Sequence, residues 1–303
     1  RWRLFYLTRP SMIQKLSPCK INLLLNILGK REDGFHELET ILLPVPIHDE
    51  LTFEWTDGNG LELSIEGASL STGQDNLIVK AANAFFTKTE NHRNISIHLK
   101  KRIPMEAGLG GGSANAAVTL SALNEISNDP LSFGQLSKIA ATLGSDVPFF
   151  LQNQPALGEG RGEQIISLPP LQALKGKALF LVKPGFGIST AWAYKGLQRF
   201  PRLLQGQPGR GKELAKALEN EDINQAAPLF FNSLEGPVLE KYPLLQLFQT
   251  KLRDLGAEVT LMSGSGSTTF AIFPSINDAH KAIEVFKMDF GDTHWIHTTE
   301  LNQ

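Results

Sequence analysis

The feature that most constrains this chain is a glycine run at residues 108–112, interrupted once by Leu109 and followed directly by Ser-Ala-Asn-Ala-Ala. Glycine permits φ > 0 and has no Cβ, so the backbone N–H groups of such a run can converge on an anion. A predicted strand at 95–99 precedes the run, and an Ala/Leu-rich helix is predicted to follow it. The N-terminus of that helix adds unpaired N–H groups and partial positive charge. This order favours a phosphate-binding loop over the alternative, a flexible linker before a helix cap.

Composition excludes several classes of protein. The chain has 303 residues, more than one hydrophobic core usually holds, so two domains are expected. Hydrophobic residues make up 42% of the sequence and charged residues 20%, as in a globular protein. The formal net charge is −2 and no stripe of Lys and Arg occurs, which argues against nucleic acid as a partner. No apolar stretch reaches the ~20 residues that a membrane-spanning helix needs, so no membrane partner is expected.

The single cysteine, Cys19, excludes internal disulfides and paired-cysteine zinc sites. This fits a reducing compartment, and we expect a cytoplasmic protein. Cys19 itself is expected to be a small buried residue, and the alternative is a reactive thiol beside Lys20. Residues 1–11 are predicted to be a disordered extension before Met12.

Apolar periodicity predicts a first domain over residues 12–169, with its boundary at Pro169-Pro170. Asp57-Gly58-Asn59-Gly60 predicts the tight turn of a hairpin between strands 51–55 and 61–65. The other predicted elements of this domain are strands at 20–28, 38–45, 95–99, 147–151 and 164–168, and helices at 76–86, 113–123 and 133–143.

The second predicted domain covers residues 170–303. A strand at 178–182 is followed by helices that start at Thr190, Gly211, Asp222 and Leu244. The chain then gives strands at 258–262 and 268–273, a helix at 277–288 and a strand at 293–297, which predicts a two-layer α+β domain. Residues 206–212 have the spacing of a P-loop. Glu213 follows where Ser or Thr would be needed and no buried strand precedes, so 205–211 is predicted to be a mobile, solvated loop.

Three further motifs contain polar residues that are candidates for catalysis or for phosphate or substrate binding. Lys20 and Asn22 share one face of a predicted strand, and burying them without partners would be costly. Taken alone, this motif favours a solvated edge strand. Asp146, two residues after Gly144, is either a turn former or a general base or metal ligand. The Ser-Gly-Ser-Gly-Ser-Thr sequence at 263–268 is either a hairpin turn or a second backbone wall that faces phosphate or substrate.

In this order, the motifs resemble those of the GHMP kinase superfamily, whose phosphate loop differs from a P-loop. The resemblance rests on six ordered blocks, at 18–23, 31–36, 75–78, 108–117, 144–148 and 184–185. It implies a two-domain α+β fold with a ribosomal-protein-like N-terminal α/β domain, a ferredoxin-like C-terminal domain and an active site in the cleft between them. It implies an ATP- and Mg²⁺-dependent kinase, a monomer or homodimer, that phosphorylates the 2-hydroxyl of 4-diphosphocytidyl-2-C-methyl-D-erythritol in non-mevalonate isoprenoid precursor synthesis.

The resemblance also implies roles for particular residues. Asp146 would accept the proton of the substrate hydroxyl, and Lys20 would hold that carboxylate and the attacking oxygen. The residues implied in ATP binding are Asn76 and Leu77 at the adenine, with Pro104, Gly108, Leu109, Gly110, Gly111, Gly112, Ser113, Ala114 and Asn115. The residues implied in substrate binding are Asn22, Phe35, His36, Thr190, Tyr194, Gly264 and Ser265, with cytosine stacked between Phe35 and Tyr194. No metal ligand is implied, and Ser113 is only a candidate.

Three residues depart from the family pattern. Cys19, Phe35 and Ala114 stand where the family commonly has Ala, Tyr and Ser, so Phe35 lacks a hydroxyl and Ala114 lacks a phosphate or metal contact. The nearest alternative is a kinase of the homoserine or mevalonate type, which would lack the aromatic–His pair. More distant alternatives are a decarboxylase of the superfamily and a nucleic-acid-binding module.

Overall fold

The computed structural model describes residues 12–57, 60–90 and 93–301, so the predicted extension at 1–11 lies outside the described residues. The described chain divides into two compact units. The first unit holds the described residues within 1–18, 47–103 and 111–151, and the second holds those within 19–46, 104–110 and 152–303. Strands β1 (Met12–Lys30) and β2 (His36–Thr56) contribute residues to both units. The predicted domain boundary at Pro169-Pro170 stays a prediction.

The first unit combines sheet and helices. Its further elements are β3 (Leu61–Glu66), α1 (Leu77–Thr89), β4 (Asn94–Lys100), α2 (Gly111–Ile126), α3 (Phe133–Leu143) and α4 (Val147–Gln152). Strand β4 pairs antiparallel with β2, with Glu50 opposite Lys100, and parallel with β3, with Leu61 opposite Ile95. Helices α1, α2 and α3 pack against one another.

Two predictions about β2 and β3 are wrong. Strand β2 runs through Pro44 and Pro46 to Thr56, beyond the predicted end at 45. Both prolines lie outside the segments that pair with β4 and β5, so their missing N–H groups interrupt neither of those two ladders. The predicted hairpin between 51–55 and 61–65 does not form, since β4 lies between β2 and β3. Gly58 and Asn59 of its predicted turn lie outside the described residues.

Helix α3 begins and ends where the sequence predicts. Ser132 forms a capping box with Gln135 at its start, and Gly144 follows its last residue. The predicted strand at 147–151 is wrong, because these residues form helix α4. A short apolar run such as Val-Pro-Phe-Phe-Leu is compatible with either structure, and periodicity alone does not separate the two.

The second unit contains most of the remaining chain. Its further strands are β5 (Ala156–Glu159), β6 (Gln164–Ser167), β7 (Ala178–Lys183), β8 (Phe231–Asn232), β9 (Val259–Met262), β10 (Thr269–Phe273) and β11 (Trp295–Glu300). Its helices are α5 (Thr190–Gly196), α6 (Pro201–Leu204), α7 (Arg210–Leu218), α8 (Ile223–Ala226), α9 (Glu235–Lys241), α10 (Pro243–Asp254) and α11 (Ile276–Phe290). Strand β8 pairs parallel with β1, with Leu24 opposite Phe231, and β5 pairs antiparallel with β2, with Thr40 opposite Gly158.

The predicted two-layer α+β domain is confirmed in the second unit. Strands β7, β9, β10 and β11 form an antiparallel sheet in the order β11-β7-β10-β9, and helices α10 and α11 pack on it. This is the strand order of a ferredoxin-like fold. Buried aromatic side chains fill the core between sheet and helices, among them Phe180, Phe248, Phe273 and Phe286. Their burial contributes to the hydrophobic stabilisation of this layer pair.

The segment at 205–211 is exposed at Gln205, Gln207 and Pro208, as predicted for a solvated loop, but buried polar side chains hold its backbone. The buried carboxylate of Glu39 accepts hydrogen bonds from the backbone N–H groups of Gly209, at 2.6 Å, and Gly211, at 3.1 Å. The side-chain amide of Asn26 donates to the carbonyl oxygen of Gln207 at 2.8 Å. The P-loop-like spacing therefore does create an anion-binding turn, and the anion is a side chain of the protein itself.

Candidate active site

The ammonium of Lys20 is the centre of a polar cluster in the second unit. Lys20 is 3% exposed and Asn22 is 2% exposed, so the alternative of a solvated edge strand is wrong. Lys20 Nζ donates to Asn22 Oδ1 at 2.5 Å and to the carbonyl oxygen of Gly108 at 2.9 Å. Strand periodicity puts both side chains on one face of β1, and the two acceptors offset the cost of burying the charge.

The turn between β9 and β10 closes this cluster. Gly264 has φ +57°, and a Cβ placed on it would lie 3.2 Å from Lys20 Nζ and 3.3 Å from Asn22 Oδ1. The Ser263 hydroxyl donates to the Gly108 carbonyl oxygen at 3.0 Å. Asn232 donates to the carbonyl oxygens of Met262 and Gly264, both at 2.8 Å. The structure thus brings together Lys20, Asn22, Gly108 and Gly264, which belong to three separate sequence motifs.

The glycine run has two parts. Pro104 to Gly110 belong to the second unit, where Gly108 has φ +72° and Gly110 has φ +70°. A Cβ on Gly108 would lie 2.0 Å from the carbonyl oxygen of Ser263, so this glycine is required by a close backbone approach. The buried Leu109 accepts a hydrogen bond from the Lys20 backbone N–H through its carbonyl oxygen, at 2.9 Å.

Helix α2 begins within the glycine run, at Gly111, and not at Ser113 as the sequence predicts. Gly111, Gly112 and Ser113 therefore form its first turn, whose N–H groups have no partner within the helix. Ala114 and Asn115 are buried, and Asn115 Oδ1 accepts a hydrogen bond from the Ser17 hydroxyl at 2.7 Å. Their side chains belong to the core of the first unit, and their contribution at the helix end is limited to the backbone.

Lys101 is a candidate that the sequence reasoning missed. Its ammonium donates to Asp49 Oδ2 at 2.6 Å, and a Cβ on Gly111 would lie 3.1 Å from Lys101 Nζ. The fully buried Asp49 also accepts from the backbone N–H groups of Arg102 and Ile103, both at 2.8 Å. A cation thus lies beside the N-terminus of α2. The Lys100-Lys101-Arg102 sequence before Pro104 was the signal for it.

Asn76 and Leu77 lie at the N-terminus of α1 in the first unit. Asn76 is the N-cap of this helix, because its Oδ1 accepts from the Ile78 backbone N–H at 2.9 Å. Its amide also donates to the carbonyl oxygen of Ser71 at 2.7 Å. A Cβ on Gly112 would lie 3.6 Å from Leu77 Cδ1, so the half-buried Leu77 is close to the first turn of α2.

Asp146 lies in the first unit, in the three-residue segment 144–146 that joins α3 to α4. The sequence predicts a helix-to-strand junction there, and the structure gives a helix-to-helix junction. The residue is half-buried and Val147 directly after it is fully buried. Asp146 therefore has a fixed position at the start of a helix, where a carboxylate is favoured by the helix dipole.

The residues predicted to bind cytosine lie in the second unit. The rings of His36 and Tyr194 are 5.1 Å apart between centroids and tilted by 37°. Burial, with a smaller contribution from the charge of Lys30, lowers the pKa of His36 below its ordinary value. The neutral imidazole is thereby favoured at neutral pH, and it can both donate and accept a hydrogen bond.

Phe35 and Thr190 complete the predicted substrate-binding set. Phe35 is 51% exposed, and the guanidinium of Arg161 lies 4.6 Å from its ring centroid. The Thr190 hydroxyl is 2.8 Å from the Ser265 hydroxyl, which joins the start of α5 to the turn after β9. The structure therefore brings together the pairs His36–Tyr194 and Thr190–Ser265, and Phe35 has Arg161 on one ring face.

Comparisons with known proteins identify the class of this chain. The family model of the GHMP kinases N terminal domain matches residues 76–154, and that of the GHMP kinases C terminal domain matches residues 214–289. Together with the relatives below, these matches show that the chain belongs to the GHMP kinase family. GHMP kinases are ATP-dependent phosphotransferases, and the predicted class of enzyme is confirmed.

The most similar relatives point to one member of this family. The chain is 39% identical over 270 residues to a 4-diphosphocytidyl-2-C-methyl-D-erythritol kinase of Pelotomaculum thermopropionicum, which covers 89% of this chain and 92% of the relative. A crystal structure of 4-(cytidine 5'-diphospho)-2C-methyl-D-erythritol kinase is 32% identical, has a TM-score of 0.76, and covers 95% of this chain and 100% of that one. The predicted resemblance and the two-domain GHMP kinase fold are confirmed.

A homoserine kinase from Cytophaga hutchinsonii has a TM-score of 0.77 at 16% identity, covering 99% of this chain and 98% of that one, which shows the fold alone. In the described part of the chain, no helix has the length and apolar character needed to cross a bilayer.

Proposed function

We propose that this chain phosphorylates the 2-hydroxyl of 4-diphosphocytidyl-2-C-methyl-D-erythritol with ATP, a step of non-mevalonate isoprenoid precursor synthesis. The proposal is supported by the relatives of that name and by their coverage of most of this chain. The structural observation that carries it is the buried Lys20 ammonium, held between Asn22 Oδ1 and the Gly108 carbonyl oxygen. A buried ammonium held in a defined position would stabilise the negative charge that develops on an attacking alkoxide oxygen.

In the proposed reaction Asp146 accepts the proton of the substrate hydroxyl. The hydroxyl oxygen then forms a bond to the γ-phosphorus of ATP, and the bond from that phosphorus to the β-phosphate oxygen breaks to release ADP. Lys20 stabilises the negative charge on the attacking oxygen. Phosphoryl transfer depends on positioning and electrostatics more than on covalent chemistry, and these two groups with the phosphate loop would supply part of both.

The N-terminus of α2 is the proposed phosphate site. The N–H groups of Gly111, Gly112 and Ser113 would donate to phosphate oxygens, and the Lys101 ammonium, which is paired with Asp49, lies beside Gly111 as a further donor. The positive φ of Gly110 turns the chain into this helix. Asn76 and Leu77 would border the adenine, since Leu77 lies close to Gly112.

Mg²⁺ would be bound mainly through the phosphates of ATP. The described residues contain no group of three or more His, Cys, Asp or Glu side chains that could hold a metal ion. This suits Mg²⁺, which proteins often bind through one or two side chains together with substrate phosphates and water. Ser113 is the candidate protein ligand. When bound, the ion would neutralise charge on the β- and γ-phosphates.

The cytidine end of the substrate would be bound by His36, Tyr194 and Phe35, with Thr190, Ser265 and Gly264 along the path to Asn22. The His36–Tyr194 ring pair favours a flat base over the small acceptors homoserine and mevalonate. A kinase of either of those types stays the second candidate, supported only by the shared fold. Cytoplasmic location and a monomer or homodimer also stay predictions.

A panel of acceptors tests the proposal. The purified protein with Mg²⁺ and ATP would be given 4-diphosphocytidyl-2-C-methyl-D-erythritol, homoserine or mevalonate, and ADP release would be measured beside phosphorus NMR of the product. We expect turnover with the cytidylyl compound and a new phosphate ester on its tertiary carbon. Turnover with homoserine or mevalonate alone would reject the proposed substrate and leave the class of enzyme intact.

A further inference from the structure

Thr40 lies behind the Lys20–Asn22 pair and is fully part of the interior of the second unit, with 2% exposure. Its hydroxyl donates to the carbonyl oxygen of Leu24 at 2.6 Å. The same hydroxyl oxygen accepts from the side-chain amide of Asn22 at 2.8 Å. A continuous series of hydrogen bonds therefore runs from Leu24 through Thr40 and Asn22 to Lys20.

The direction of every bond in this series is determined. The Leu24 carbonyl oxygen accepts only, so the single proton of the Thr40 hydroxyl points to it. Thr40 Oγ1 can then act only as an acceptor towards Asn22. The NH₂ group of Asn22, which is the donor, must therefore face Thr40. Its Oδ1 consequently faces Lys20. A flipped amide would point two N–H donors at an ammonium and two oxygens at each other.

The rotamer of Thr40 is fixed as well. Thr40 is opposite Gly158 in the β2–β5 ladder, and a Cβ on Gly158 would lie 3.0 Å from Thr40 Cγ2. The methyl group thus packs against the backbone of β5, and the hydroxyl is left on the side of β1. Threonine has few χ1 states available, so this packing selects the one that serves Asn22.

We propose that Thr40 is a positioning residue for phosphoryl transfer, which acts through the amide of Asn22 to hold the Lys20 ammonium in place. The proposal deepens the proposed function and rests on it for the role of Lys20. Thr40 itself contacts neither reacting group. Its effect is expected on kcat, because a small displacement of a catalytic group costs rate more than substrate affinity.

The test compares five variants with the wild-type enzyme. Thr40→Val replaces the hydroxyl by a methyl group of similar size, and Thr40→Ser keeps the hydroxyl. Ile41→Val removes one methyl group from the neighbouring, fully buried residue of β2 and controls for loss of stability alone. Asn22→Ala, alone and combined with Thr40→Val, completes a double-mutant cycle. The KM for ATP, kcat and the melting temperature would be measured for each.

We expect Thr40→Val to lower kcat by about 10- to 100-fold with the KM for ATP unchanged. Ile41→Val should stay near the wild-type kcat. Thr40→Ser keeps the hydroxyl but not the methyl packing, so its kcat should lie between those of wild type and Thr40→Val. In the Asn22→Ala background, Thr40→Val should lower kcat no further. A Thr40→Val enzyme that matches Ile41→Val, or a loss that multiplies with that of Asn22→Ala, would overturn the proposal.

A readout without substrate separates this proposal from the proposed function. In protein labelled with ¹⁵N-asparagine, the Asn22 side-chain amide, assigned by its loss in Asn22→Ala, should exchange its protons slowly in wild type and Thr40→Ser and rapidly in Thr40→Val. If no acceptor in the panel is phosphorylated but this pattern holds, the proposed substrate fails and the positioning of Asn22 stands. Equal exchange in all three proteins would refute the positioning role whatever the substrate.

Discussion

The ammonium of Lys20 lies 2.9 Å from the carbonyl oxygen of Gly108, a residue 88 positions further along the chain. The same carbonyl oxygen accepts from the Ser263 hydroxyl at 3.0 Å. Strand β1, the glycine run and the turn after β9 therefore meet at one backbone oxygen. Because this oxygen has two lone pairs and both are used, its position is tightly defined.

Replacing Asp146 by asparagine should abolish most turnover. The amide keeps the shape of the side chain but cannot accept the substrate proton, and a general base contributes about 10²- to 10⁴-fold to rate. We expect kcat to fall within that range and the affinity for ATP, measured by calorimetry, to stay unchanged. Asp254→Asn, at the exposed end of α10, is the matched control. An Asp146→Asn enzyme with near-normal kcat would show that another group takes the proton.

Gly108→Ala should destabilise the protein more than an ordinary glycine replacement. Both Gly108, with φ +72°, and Gly176, with φ +73°, would impose left-handed strain of about 1–2 kcal/mol on alanine. Only Gly108 adds a collision, since its Cβ would lie 2.0 Å from the Ser263 carbonyl oxygen, whereas nothing lies within 4 Å of a Cβ at Gly176. In urea unfolding, Gly108→Ala should therefore have a lower free energy of unfolding than Gly176→Ala. The kcat should fall only in Gly108→Ala. Equal free energies of unfolding would contradict the close approach of Gly108 to Ser263.

Glu39→Ala should loosen the segment at 205–211. The buried carboxylate holds the N–H groups of Gly209 and Gly211, and leaving them without an acceptor should lower the free energy of unfolding by about 2–3 kcal/mol. Hydrogen exchange of residues 205–211 should become faster in the variant. The control is Glu37→Ala, two positions earlier on β2, which removes a partly exposed ion pair with Arg31 worth at most about 1 kcal/mol. Unchanged exchange at 205–211 would mean that other contacts hold the segment.

His36 should make folding stability depend on pH. Its pKa is lowered in the folded state, by burial first and by Lys30 second, so below the ordinary histidine value the unfolded chain binds the proton more readily. The stabilisation is therefore present above the ordinary pKa of about 6.5 and is lost as the pH falls through the folded-state pKa. We expect His36→Asn to lose less stability than wild type between neutral and acidic pH. His280→Asn, at an exposed position of α11, should follow the wild-type curve, and an identical slope for His36→Asn would refute the effect.

Local patterns in the sequence predict the parts of this molecule that depend on neighbouring residues. The alternation around Lys20 and Asn22 puts the two on one face of β1 because a strand repeats every two residues. Ser132, Gln135 and Gly144 set the ends of α3 for the same local reason. The class of enzyme is predicted by the family resemblance, because the matching sequence blocks occur in the same order as in the family.

Features that depend on distant residues could not be predicted in this way. The hairpin prediction fails because β4, more than thirty residues later, pairs with both β2 and β3. The segment at 205–211 is held by Glu39, 170 positions earlier. The need for glycine at 108 comes from Ser263, whose carbonyl oxygen no sequence window around the glycine run contains. Such tertiary contacts override local preference.

Cys19 is fully buried and directly precedes Lys20, as expected for a small interior residue. Because it is the only cysteine of the chain, a thiol reagent can modify the protein at one place only. Its modification requires that β1 first detaches from its surroundings, so the labelling rate measures the free energy of that local opening. The enzyme thus carries a built-in reporter of how firmly its proposed catalytic lysine is held, without any engineered label.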